Sequence, residues 1–155
     1  MAQADVLGIF GREGVFAAAF WPIAGVYSPP YLGDGQKAYA YVFGAFRMFR
    51  NYDGRGARFG DTGLQSTTTD NEMSSVYAST DDAGNIVVIG INKTQKPKIA
   101  HIVLNGATPR TTAKVYTMSQ GSASPSRQPE LPISGGTSLD YTMPPLSVTT
   151  LVLIP

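Results

Sequence analysis

The stretch VFAAAFW, residues 15–21, decides how this chain is read. It is apolar at every position, shows no alternation, and stops at Pro22. A short continuous apolar run between turn residues fits a strand buried on both faces, the usual condition in a parallel sheet. Upstream, residues 2–10 read as the end of a helix, with Gly11 and Gly14 bracketing Arg12-Glu13 as a turn. Downstream, residues 22–35 form a loop carrying Pro22, Pro29, Pro30, Gly33 and Gly35. The spacing of Ala38, Tyr41, Val42, Ala45, Phe46 and Phe49 predicts a helix over 36–52, with Asp34 as its cap and Gly54 as its C-terminal glycine. Tyr39 and Phe43 extend the apolar surface to a second face, which places the helix between two layers. A parallel strand needs hydrogen-bonded neighbours on both edges. No other run in the chain has the character of 15–21, so residues 1–58 read as the closing unit of a larger β/α fold.

The character changes near residue 60. Runs rich in β-branched residues over 74–79, 86–92, 99–105, 112–118, 138–142 and 147–154 alternate with Gly, Pro and Asn clusters. Asp81-Asp82-Ala83-Gly84-Asn85 reads as a hairpin turn, with glycine where a positive φ is needed. Residues 119–129, rich in Ser, Pro, Gly and Gln, read as a long surface loop. Many short antiparallel strands in such a span predict a β-sandwich. The fold class expected is therefore α+β: a helix–strand–helix piece over 1–58, then an antiparallel sandwich over 59–155.

Composition narrows the chemistry. The 155 residues carry 12 Lys+Arg against 11 Asp+Glu, so no basic excess attracts nucleic acid. The absence of Cys excludes disulfides, thiol nucleophiles and thiolate metal sites, and a single His excludes His-based zinc clusters. No cofactor or metal is expected. The longest apolar run, 15–24, falls far short of the roughly 20 residues that span a membrane. Residues 1–14 carry Asp5 and Glu13 and no basic leader, so they do not read as a signal peptide.

The same segments resemble a known family. AQADVLGIFGREGVFAAAFWP (2–22), AYVFGAFRMFRNYDG (40–54) and RFGDTGLQ (58–65) are similar to the C-terminal end of glycoside hydrolase family 44, endo-β-1,4-glucanases often active on xyloglucan. VYASTDDAGNIVVIGINKT, AHIVLNG and PPLSVTTLVLIP resemble the β-sandwich that follows the barrel in that family. The resemblance implies the end of a (β/α)8 barrel: 2–10 as helix seven, 15–21 as strand eight and 36–52 as helix eight facing the sandwich. It also implies two catalytic glutamates on strands four and seven, upstream of Met1. The partners implied are β-1,4-glucan or xyloglucan and the barrel segment absent from this chain, supplied as part of the parent or as a separate chain. The parent would be a secreted bacterial cellulase, and this stretch by itself would lack the retaining glucanase's catalytic pair.

Trp21 is the candidate substrate-binding residue. It stands at the C-terminal end of the expected barrel strand, where barrel enzymes bind substrate, and an indole face stacks on sugar rings. The resemblance implies the same role; the competing role is a core aromatic. Tyr27 and Tyr31, in the loop that follows, are candidates to line the same cleft but read first as ordinary loop aromatics. No catalytic residue is assigned. Glu13 precedes the strand and so lies at the face opposite the chemistry, and Asp34 belongs to the helix cap. A retaining pair needs carboxyl groups about 5–5.5 Å apart. His101 reads as a strand-surface histidine, and Asp81-Asp82 with Asn85 lack the closing glutamate of a calcium loop. Arg47, Arg50, Arg55 and Arg58 read as a solvated or interdomain face. The alternative function is a free-standing carbohydrate-binding or purely structural sandwich domain.

Overall fold

The computed structural model describes residues 1–20 and 33–155, with side chains for all of these except 33–38. Two helices, α1 (Ala2–Arg12) and α2 (Gly33–Arg50), are followed by eight strands. These are β1 (Thr62–Leu64), β2 (Ser74–Thr80), β3 (Ile86–Asn92), β4 (Lys98–Val103), β5 (Thr112–Ser119), β6 (Ser122–Pro132), β7 (Ser138–Met143) and β8 (Ser147–Ile154). All pairings are antiparallel. Six strands form one sheet in the order β1-β2-β3-β8-β5-β6, and β4 pairs with β7 in a second.

The large sheet is covered on both faces. In β3, Ile86 and Val88 join Ala113, Val115, Leu139, Leu151 and Leu153 in a core between the two sheets. Their neighbours Ile89 and Ile91 turn the other way and meet Ala4, Ala45, Met48 and Phe49 of the helices. Successive strand residues point to opposite faces. A strand buried on both faces is therefore apolar at every position, as β3 and β8 nearly are. β4 has the small sheet's outer face in solvent, and its burial alternates strictly. Helix α2 is held to the sheet by a buried hydrogen bond, Thr150 Oγ1 donating to the Met48 carbonyl at 3.0 Å. A smaller core of Tyr52, Val87, Tyr116 and Val152 extends this contact past the helix end.

Three sequence expectations are corrected, and one strand was missed. Within 15–21, residues 15–20 form no strand and lie exposed, while Trp21 falls outside the described residues. Strand geometry is held by ladder bonds to a neighbour, and among the described residues no strand pairs with this stretch. Among the described residues its last backbone tie is Val15 N–H to the Phe10 carbonyl, at 2.9 Å. Residues 119–129 are not a loop: they largely form β6, paired with β5. The disguise is physical. Pro125 and Pro129 fall where the β5–β6 register slips, and β6 is an edge strand, the place in a sheet that accepts proline. The three-residue strand β1 was too short to be seen in the sequence pattern. Asp34 lies just inside α2, not before it. The strands expected at 86–92 and 147–154 have those limits.

Candidate functional site

The side of the helix layer away from the sheet is unusually apolar. Ala45 and Met48 of α2 are wholly buried on the inner side, whereas Phe43, one turn back, is 59% exposed. Phe46 is met edge-on by Phe20, with ring centroids 6.3 Å apart and planes at 73°. Phe20 itself is partly exposed, and Val15 and Phe16 of the same segment are exposed too, Phe16 at 103%. Helical spacing puts 43 and 46 on one stripe and 45, 48 and 49 on another. This is why one helix offers apolar surface in two directions. Clustered exposed aromatics of this kind mark a surface that another layer covers.

Helix α1 is fastened by a charged cluster. The Asp5 carboxylate accepts from Tyr77 OH at 2.5 Å and pairs with Lys93 Nζ at 2.9 Å. Burial alone would raise the Asp5 carboxyl, but hydrogen bonds from Tyr77, Lys93 and Ser75 outweigh it and leave the group below its usual value. The Tyr77 phenol is pushed up to about 12 by burial and by its bond to Asp5. Gly8 makes room for the Tyr77 ring: a Cβ there would lie 2.3 Å from ring carbons. Nothing in the local sequence announced this cluster, because its members come from three separated segments.

The other expected site residues are scattered. Trp21, Tyr27 and Tyr31 lie outside the described residues, as does the Asp34 side chain. Glu13 is exposed and pairs with Arg12 at 2.9 Å. The chain's other glutamates are exposed too: Glu72 precedes β2, and Glu130 pairs with Arg127 at 2.6 Å on the edge strand. His101 and Asp140 are directly opposed on β4 and β7, with Nδ1 and Oδ1 2.5 Å apart, both in solvent. Asp81 accepts from Ala83 and Asn85 backbone N–H groups in the hairpin, and Gly84 takes φ +76° there. Arg47, Arg50 and Arg55 are exposed. Arg58 lies 3.6 Å from Asp61 and 3.5 Å from Asp82, both exposed pairs. No described helix is long and apolar enough to cross a membrane.

No family model matches the chain. Individual relatives do. Endoglucanase A of Paenibacillus lautus is 33% identical over 99% of this chain, which spans 21% of that protein. The β-mannanase/endoglucanase A of Caldicellulosiruptor saccharolyticus is 34% identical over 75% of this chain and 8% of its own length. A family 44 xyloglucanase of Paenibacillus polymyxa superposes with a TM-score of 0.87 at 30% identity, over 99% of this chain and 28% of its own. A family 44 endoglucanase of Clostridium thermocellum gives 0.84 at 31% identity, over 98% and 28%.

A mostly antiparallel fold with two helices on one sheet, matched in this way, is similar to part of the glycoside hydrolases. More narrowly, its homologues and structural neighbours are the endoglucanases and xyloglucanases of family 44, and it is a counterpart of their C-terminal part. It spans between about a tenth and three-tenths of the length of these relatives.

Proposed function

We propose that this chain is the C-terminal part of a retaining endo-β-1,4-glucanase acting on glucan or xyloglucan. Residues 1–58 supply the last unit of a (β/α)8 barrel, and residues 59–155 form a β-sandwich that braces it. The observation that carries this reading is the two-sided helix layer: Met48 is buried on the sheet, while Phe16 and Phe43 lie exposed and Phe20, 43% exposed, packs edge-on against Phe46. On this reading the outer aromatics meet neighbouring barrel staves, and 15–20 becomes a strand once it has ladder partners on both edges. Trp21 then stands at the mouth of the barrel and stacks on a glucose ring.

The two carboxyl groups of a retaining site must face each other across one bond, about 5–5.5 Å apart. Glu13, Glu72 and Glu130 are exposed on separate segments, and two of them are engaged by arginines. The catalytic pair is therefore assigned to polypeptide outside these residues, and the parent is read as a secreted bacterial enzyme, in keeping with its relatives' sources. The test is reducing-sugar release from soluble β-glucan and xyloglucan. The 155-residue chain alone is expected to release none, and hydrolysis by it would overturn the assignment. A Trp21→Ala substitution in a chain that includes the barrel should raise KM for xyloglucan more than it lowers kcat.

A further inference from the structure

The link that leaves β4 holds a chemically reactive pair, Asn105-Gly106. Of the chain's asparagines, Asn105 alone is followed by glycine. The pair forms a bend beyond the end of β4, and both residues are exposed. Gly106 takes φ +71°, and a Cβ there would meet nothing within 4 Å. Among the described residues, neither the Asn105 carboxamide nor the Gly106 N–H has a hydrogen-bond partner. Asparagine in a turn commonly bonds its own backbone, and here it does not.

The other asparagines are restrained. Asn51 Oδ1 accepts from the Gly56 N–H at 2.7 Å. Asn85 Nδ2 donates to Asp81 Oδ2 at 2.9 Å. Asn92 is wholly buried, and its Nδ2 donates to the Lys96 and Pro144 carbonyls, each at 2.8 Å. Asn71 is exposed but precedes Glu72, whose side chain hinders the close approach that glycine allows.

We propose that Asn105 is a site of self-modification, converting to aspartate and isoaspartate through a cyclic imide with Gly106. The Gly106 nitrogen gives its proton to hydroxide and attacks Asn105 Cγ. A new N–Cγ bond closes the imide, and the carboxamide nitrogen takes a proton from water and leaves as ammonia. Water then opens the ring, and nothing is oxidised or reduced. Attack at Cγ gives an ordinary aspartate. Attack at the main-chain carbonyl leaves the chain running through Cγ, which is isoaspartate.

Either product adds one negative charge and takes the formal net charge from +1 to 0. Isoaspartate also lengthens the backbone by one carbon. The link is pinned on both sides: Leu104 N–H donates to the Thr137 carbonyl and Arg110 N–H to the Gly136 carbonyl, both at 2.8 Å. Leu104 and Ala107 pack against the core between the sheets. Extra length between fixed pins weakens the Leu104 bond, which lies next to the added atom. The chemistry depends only on this link, so it holds with or without the glucanase reading.

The 155-residue chain is incubated at mildly alkaline pH beside the synthetic peptide 99–110, and both are followed by mass spectrometry. Cleavage after Lys98 and Arg110 recovers the same peptide from the chain, with Asn105 as its one asparagine. Conversion in the folded chain is expected within about tenfold of the free peptide's rate, the slowing that holding one residue's backbone would cause. Asn51, Asn71, Asn85 and Asn92 should persist after Asn105 has converted. A protein-isoaspartate methyltransferase should label peptide 99–110. Asn105→Gln, which would need a larger ring, and Gly106→Ala, which is strained at positive φ, should each suppress the label. An intact Asn105 in the folded chain after the free peptide has fully converted would overturn the site. Amide hydrogen exchange at Leu104 should be faster in the isoaspartate form than in Asn105→Asp, which has the charge without the added carbon. Equal exchange in the two would overturn the loosening.

Discussion

Replacing Gly44 with alanine sets helix propensity against packing, and the structure says which wins. In the interior of a helix alanine is favoured over glycine by about 1 kcal/mol. Gly44 lies inside α2, so propensity alone predicts a more stable protein. A Cβ at Gly44 would, however, lie 2.0 Å from the Ala123 carbonyl oxygen and 2.5 Å from Met118 Sδ. Met118 is wholly buried and has little room to swing. The Ala123 carbonyl belongs to β6, whose hairpin is fastened by Tyr41 OH to the Gln120 carbonyl and by Ser126 Oγ to the Thr117 carbonyl. Relief therefore requires α2 to back away from the sheet, opening the core around Met48. Overpacking of this kind costs about 1–3 kcal/mol, and more when backbone must move. The net expectation is a loss of about 1–2 kcal/mol after the propensity gain is subtracted. Gly11 in α1 is the control, since a Cβ there meets nothing within 4 Å; Gly11→Ala should gain up to about 1 kcal/mol. Urea unfolding followed by circular dichroism reads both as shifts in midpoint at constant slope. A higher midpoint for Gly44→Ala would refute the close seating of α2 on the β5–β6 hairpin.

Met48→Ala should cost about 2–5 kcal/mol in the same assay, because the side chain is wholly buried in the core between helices and sheet. The acid limb of stability should depend on Asp5. Its folded carboxyl lies below the usual value, so its contribution is present above the unfolded pKa and is lost as pH falls through the folded one. Asp5→Asn or Tyr77→Phe should flatten that limb in midpoints measured between pH 6 and pH 2, values chosen to bracket ordinary carboxylates at about 4. Phe16→Ser with Phe43→Ser should leave stability within about 0.5 kcal/mol while reducing self-association in sedimentation, since neither side chain is in the core.

The two strands whose limits were read correctly from the residues, β3 and β8, are those whose environment is the same along their whole length. Covered on both faces, they carry unbroken β-branched runs, and local composition mirrors burial. Helix α2 was legible for a related reason. Its main face was visible in the spacing of Ala38, Tyr41, Val42, Ala45, Phe46 and Phe49, and a second in Tyr39 and Phe43; the structure adds the wholly buried Met48. β6 was not legible, because an edge strand needs neither apolar residues nor every N–H, and its prolines occupy the irregular positions of its pairing. Arg110 drew no notice in the sequence. An arginine among threonines reads as surface until the fold shows it enclosed.

The residues by themselves determined the two helices and the strands whose burial is uniform, such as β3 and β8. They determined also the absence of cysteine chemistry and of a basic surface. Only the tertiary structure decided what each face meets. The run 15–20 has the composition of a buried strand and yet lies exposed, because strand geometry is a property of a pair of chains and not of one. The same holds for Asp5, Tyr77 and Lys93: charge, burial and partner are set by neighbours distant in sequence, and no local pattern encodes them.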